Sequence, residues 1–208
     1  MSPISCFRPA TQLLLVLGCL FLTQPAATSA EFDLQAPSME ILTNDEWDRV
    51  DNSVERALEW LASNQQRDGS FPTSPEGQPA VTGLCVMAFM ANGHLPGDGP
   101  YGEHLTKAVG YITSCQKKNG LISLTAPNRP DLDRRVHHDV GVSASYNHAI
   151  SSLALGECFS TGRGIDSEEL DRIITRAIET TLEIQQFRKR RQEDLGGWRY
   201  LDITQDTM

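Results

Sequence analysis

The sequence predicts an all-α fold of stacked helix hairpins, and three observations carry that prediction. A short residue pattern is written three times, amphipathic and all-round apolar segments alternate along the chain, and no run alternates apolar and polar residues with the period of two that a strand requires. The first copy of the pattern is Arg56-Ala57, Trp60-Leu61, Gln65, Gly69 and Phe71. The second is Lys107-Ala108, Tyr111-Ile112, Gln116, Gly120 and Ile122, each position displaced by the same 51 residues. The third is Arg176-Ala177, Thr180-Thr181, Gln185 and, after an insertion, Gly197 and Trp198. Self-similarity at a period near 50 residues is the mark of a stacked-repeat architecture, in which each unit buries its apolar face against the next.

The first helix is predicted to begin at Asn44, which can cap it, with Asp45 and Glu46 suited to the positive first turn. Trp47, Val50, Val54, Ala57, Leu58 and Leu61 then form one stripe at helical period, and the helix ends near Gln66, before Asp68-Gly69. A turn with Pro72, Pro75 and Pro79 leads into a second helix running to Asn92. Its sequence is apolar nearly all round, so it is expected to be buried on both sides. Glu103 to Gln116 give a third, amphipathic helix, stopped by Asn119-Gly120. A long connection over 121–141 precedes a second all-round apolar helix, Ser143 to Phe159, which Gly162 and Gly164 break. A fifth, polar-faced helix starts at Asp166-Ser167-Glu168-Glu169, a capping-box-like string, and runs to Phe187. The pattern requires a sixth helix after Tyr200, which the remaining residues do not supply. The expected domain therefore spans 44–208 as a partial arc of five helices, with repeats near 44–93, 102–162 and 166–208.

Residues 1–30 read as a secretory signal peptide. Arg8 precedes an apolar run from Leu13 to Leu22, followed by Thr23-Gln24-Pro25 and small residues ending in Thr28-Ser29-Ala30, with cleavage expected after Ala30. The run is too short to span a bilayer, and a lipid anchor at Cys19 fits less well because the run continues past it. Residues 31–43 form a leader. The expected location is the periplasm or the exterior, with no transmembrane segment.

Removing residues 1–30 leaves 17 basic and 27 acidic side chains, a net charge of −10. Nucleic acids and anionic membranes need a basic surface, so neither is an expected partner. The one basic run, Arg188 to Arg191, is followed at once by Glu193 and Asp194 and reads as a solvated loop, with an anion-binding patch as the alternative. Three cysteines follow Ala30: Cys85, Cys115 and Cys158. All lie in apolar helical stretches, where free cysteine behaves as a small core residue; one disulfide and, less readily, metal ligation are the alternatives.

The basic-Ala, bulky-pair, Gln, Gly, aromatic pattern resembles the QW repeat of squalene–hopene and oxidosqualene cyclases, a superfamily that includes the β subunits of protein prenyltransferases. Val81-Thr82-Gly83-Leu84 and Tyr146-Asn147-His148-Ala149-Ile150 look like the inner-helix segments of bacterial proteins with prenyltransferase and squalene-oxidase-type repeats. The resemblance covers roughly residues 44–200. It implies an α/α toroid, with inner and outer helices around an apolar cavity. It also implies that Gln65, Gln116 and Gln185 hydrogen-bond backbone groups at a neighbouring helix end while Phe71, Ile122 and Trp198 pack against them. Gly69, Gly120 and Gly197 would complete these structural repeats.

The family's chemistry is not matched. Its cyclases protonate an alkene through an Asp-x-Asp-Asp motif, and the nearest string here is Asp131-Leu132-Asp133-Arg134. No segment matches the zinc-ligand motifs of the prenyltransferases or the thioester string of complement-type toroids, so no metal or cofactor is implied. Aromatic residues are 7% of the chain, and the inner helices offer only Phe89, Tyr146 and Phe159 to stabilise a carbocation. The remaining polar concentration is Arg134 to Asp139, placed at a loop rim, followed by Tyr146 and His148. His137, His138 and Asp139 have the chemistry of metal ligands or of an acid–base pair. Adjacent histidines point in different directions, however, and the competing reading is capping or surface hydrogen bonding. For His148, which enters an apolar helix, the competing reading is a satisfied core histidine. The expected role is a non-catalytic binding or scaffold module whose apolar concave face takes an apolar ligand or a protein partner. The alternative is a fragment of an enzyme acting on isoprenoid substrates of squalene or prenyl type. Carbohydrate processing would need a pair of carboxylates flanking a groove, and none is identifiable.

Overall fold

The computed structural model describes residues 42–125, 134–162, 164–186 and 192–198, without the side chains of 134–139 and 194. All lie in one unit, Leu42–Met208. The expected signal peptide, and the 31–43 leader up to residue 41, lie outside the described residues. Five α-helices follow one another: α1 Asn44–Asn64, α2 Ala80–Ala91, α3 Gly102–Ser114, α4 Arg134–Thr161 and α5 Ser167–Gln186. There is no strand among the described residues, only an isolated bridge between Gln116 and Ile122. The all-α class is therefore as expected. None of the described helices is long and apolar enough to cross a membrane.

Two starts differ from expectation. The residue capping α1 is Thr43, not Asn44; the Glu46 carboxylate accepts hydrogen bonds from the Thr43 backbone N–H and its hydroxyl, both 2.8 Å. Those two donors hold the Glu46 carboxyl below the usual range. Helix α4 begins at Arg134, well before Ser143, so Arg134 to Asp139 form helical turns and not a rim loop. Nothing between Arg134 and Val140 breaks a helix, and Gly141 costs only about 1 kcal/mol inside one. The start of α5 is as read: the Asp166 carboxylate accepts from the backbone of Glu168 (3.0 Å) and Glu169 (3.2 Å).

Helices α2 and α4 form a central pair, with α1 and α3 packed on α2 and α5 packed on α4. The central pair runs parallel. Asn147 Oδ1 accepts from Ala80 N–H (2.9 Å) at the start of α2, and Gly83 lies against Ile150 and Ala154. Cys158 meets Met90 (3.4 Å) near the far end, and Gly97 touches Gly164 beyond it. The main core gathers Leu58, Phe71, Val86, Phe89, Leu105, Ile112, Ile122, Leu155 and Leu170 from the five helices and the turns between them.

The two apolar helices are not buried on both sides. Leu84 on α2 is 50% exposed, and on α4 Tyr146 and Leu153 are 54% and 55% exposed. Nor is the α1 stripe buried throughout: Leu58 is, while Trp47, Val50 and Ala57 are exposed. A periodic apolar stripe states which face should be covered and cannot state that a cover exists.

Candidate functional site: the locks between repeats and the exposed apolar face

The first two copies of the repeated pattern close their helices with the same hydrogen bonds. Gln65 Nε2 donates to the Gly69 carbonyl (3.0 Å) and to the His104 carbonyl of α3 (2.9 Å). Gln116 Nε2 donates to the Gly120 carbonyl (3.2 Å) and to the Ile173 carbonyl of α5 (2.8 Å). One amide group thus closes its own turn and ties it to the next flanking helix. The acceptors differ from expectation, because His104 and Ile173 lie within helices. A carbonyl has two lone pairs, so an intrahelical acceptor can take a second donor from the side.

The glycine of each of these two turns lies on that same helix. Gly69 has φ +92° and Gly120 has φ +88°, conformations that L side chains rarely adopt. A Cβ on Gly69 would overlap the Lys107 carbonyl, and one on Gly120 would overlap the Arg176 carbonyl and the Thr180 hydroxyl. The basic-Ala pair of one repeat is therefore the seat for the glycine of the preceding repeat, and Ala108 and Ala177 are buried beneath it. In the third copy Gln185 Nε2 donates to the Gly196 carbonyl (2.7 Å), and Gly196 has φ +82°. Gly196, not Gly197, is thus the counterpart of Gly69 and Gly120. In all three turns the bulky residue stands two places after that glycine.

The bulky residue is held by the central pair. Phe71 N–H donates to Thr82 Oγ1 of α2 (3.1 Å), and Ile122 N–H donates to His148 Nδ1 of α4 (3.1 Å). Phe71 and Ile122 are 3% and 0% exposed. Trp198 is 61% exposed, its indole N–H donating to the Thr181 carbonyl (3.0 Å).

His148 is buried and bonded at both nitrogens. Because Nδ1 accepts from Ile122, Nε2 carries the proton, and it faces the Thr181 hydroxyl (3.0 Å) and the Ala177 carbonyl (3.2 Å). Burial holds its pKa below 6.5, partly opposed by the Ala177 carbonyl. A second ring proton would point at the Ile122 N–H. The unfolded chain therefore binds a proton more readily than the folded one, so stability should be complete above pH 6.5 and fall as pH drops below it. Denaturation midpoints at successive pH values check this. His148→Gln, which keeps an acceptor and a donor without titrating, should flatten the decline between about pH 7 and 5.5.

Of the other candidate residues, Tyr146 lies exposed on α4, one residue before Asn147 and on a different side of the helix. His137, His138 and Asp139 lie on the α4 backbone, but their side chains are outside the described residues, so no site is built from them. Among the described residues no group of three His, Cys, Asp or Glu side chains is placed to hold a metal. Cys85, Cys115 and Cys158 are free and buried, so the disulfide alternative does not occur. Burial pushes the Cys85 thiol up to about 11; burial, with the nearby Glu157, pushes Cys158 up to about 12. Neither is a thiolate at neutral pH.

Sequence reasoning passed over Asn147, which is 1% exposed. Its Oδ1 satisfies the first N–H of α2, and its Nδ2 donates to the Glu76 carbonyl (2.8 Å). The available signal was two adjacent polar residues, Asn147 and His148, entering a helix that is otherwise apolar.

The exposed apolar residues of the central pair share one side. On α2 the contact with α4 is made at Gly83, and Leu84 and Ala88 are exposed; on α4 it is made at Ile150 and Ala154, and Ala149 and Leu153 are exposed. In parallel helices facing each other, one position after the contact on one and one position before it on the other rotate toward the same side. Leu84, Ala88, Ala149, Leu153 and, one turn earlier, Tyr146 thus make one apolar strip. No protein-family model, no curated protein and no solved structure matches this chain.

Proposed function

We propose that this chain is a non-catalytic binding module: an exported, partial α/α-toroid arc of the terpenoid-cyclase and prenyltransferase kind, whose apolar strip takes an apolar ligand or the apolar face of a protein partner. One observation carries the reading. Two parallel central helices present Leu84, Tyr146 and Leu153 to solvent on one side, where a globular chain would bury them. The polar groups nearest that strip support it too. Asn147 and His148 face away from the strip, bonded to backbone, and are spent on holding the helices together.

An environment-sensitive dye such as anilinonaphthalene sulfonate tests the reading. The folded chain should enhance its fluorescence, and the double variant Leu84→Asp/Leu153→Asp should lose most of that enhancement. Both positions are exposed, so each substitution should change stability by only about 0.5 kcal/mol. A folded chain that leaves the dye dark, or a double variant that binds it equally well, overturns the proposal.

A further inference from the structure

The two internal locks are one interface made twice, and its two halves recur unmated at opposite ends of the described structure. The receiving half on α3 is the carbonyl of His104, the Lys107-Ala108 backbone and Tyr111; on α5 it is the carbonyl of Ile173, Arg176-Ala177 and Thr180. The same spacing on α1 selects Ser53, Arg56-Ala57 and Trp60. Ala57 is exposed where Ala108 and Ala177 are 1% exposed, and Trp60 is 62% exposed where Thr180 is 5%. Arg176 donates to the carbonyls of Lys117 and Lys118 in the turn seated on it; Arg56 donates instead to Ser53 of its own helix (3.1 Å). A shallow groove that begins at Leu42 and Glu46 reaches this seat at Ser53 and Ala57.

The inserting half is unmated at the other end. Gln185 closes its own turn on Gly196 but makes no bond to a further helix among the described residues, whereas Gln65 and Gln116 each make one. A Cβ built on Gly196 meets nothing within 4 Å, although the glycine keeps the left-handed conformation its two counterparts need for close approach.

We propose that α1 is the seat for the third lock turn of a second copy of this chain, so that copies associate head to tail. Gln185 of one copy donates to the Ser53 carbonyl of the next, Gly196 lies on Arg56-Ala57, and the exposed Trp60 and Trp198 are drawn into the joint. The complementarity is already present twice inside each copy, which is why a second copy, and not an unrelated partner, is the occupant. Such an interface is heterologous, so it closes into a ring if the rotation between copies permits and grows as an open chain if it does not.

The surface is distinct from the apolar strip, and the test separates them. Sedimentation velocity on the full chain, with and without residues 1–30, should show mass rising with concentration in both. Ala57→Glu, at an exposed helical position, should weaken association by at least about tenfold while leaving the helical content intact. Leu84→Asp should leave association unchanged. Geometry is read by mixing Ala57→Cys chains with Gly197→Cys chains, both without residues 1–30 and so without Cys6 and Cys19, under mild oxidation; Cys85, Cys115 and Cys158 are buried and do not compete. A disulfide-linked product in the mixture and in neither variant alone supports the proposal. A monomer at all concentrations, association only when residues 1–30 are present, or self-linking of Ala57→Cys alone overturns it.

Discussion

Gly69→Ala is expected to destabilise the fold by about 3–5 kcal/mol, combining left-handed strain of about 1–3 kcal/mol with an overpacking cost of similar size. The added methyl group would meet the Lys107 carbonyl, a backbone atom of α3 that cannot swing aside as a side chain can. Relief would require α3 to move off the turn, which would also lengthen the bond from Gln65 to His104. Gly196→Ala is the control. It carries the same class of backbone strain and no contact within its own chain, so it should cost the strain alone, about 1–3 kcal/mol. The difference between the two denaturation free energies therefore measures the seating of the turn on its neighbour. Equal effects would mean that the turn's conformation matters and its docking does not.

Asn147→Leu is expected to cost about 2–4 kcal/mol, although leucine is the better helix former and branches at the same carbon. The substitution leaves the buried Ala80 N–H without its acceptor, at about 1–3 kcal/mol, and removes the partly buried bond to the Glu76 carbonyl, at about 1 kcal/mol. It also uncaps α2, whose first N–H groups have no intrahelical acceptor. Asn147→Asp separates the two roles: it keeps the acceptor for Ala80 and loses the donor to Glu76. Its loss at neutral pH should include the cost of burying a carboxylate and should shrink as that group is protonated. Urea denaturation of the three proteins at two pH values checks this ordering.

The helices were legible because a stripe of period 3.6, or an all-round apolar run, is a property of side chains, which the sequence records. Gln65, Gln116, Gly69 and Gly120 were legible because each occurs twice in register. Their acceptors were not, since the bond common to both locks goes to a backbone carbonyl, of His104 or Ile173, which no side-chain type announces; only His104 adds its ring, Nδ1 lying 2.7 Å from Gln65 Oε1. Gly196 was misassigned to Gly197 because two glycines adjoin after an insertion, and only the backbone angle and the Gln185 bond separate them. The early start of α4 was hidden by its charged first turns, which lack the apolar density used to recognise the rest. His148 stood out by type, but its role depends on Ile122 and Ala177, which lie 26 and 29 residues away.

The lock is unequal in how it is encoded. The inserting turn requires a glutamine and a left-handed glycine, whereas what both receiving helices share is main-chain oxygens and room; their side-chain bonds differ, from His104 to Gln65 in one and from Arg176 and Thr180 to carbonyls of the turn in the other. Lysine or arginine can stand before the alanine, and histidine or isoleucine three residues earlier, because the contacts common to both seats are made by the backbone. Drift on the receiving side therefore costs less than drift on the inserting side. Lengthening the chain by one more hairpin would demand only two new specified residues, set against a helix that any amphipathic segment with one small residue could provide.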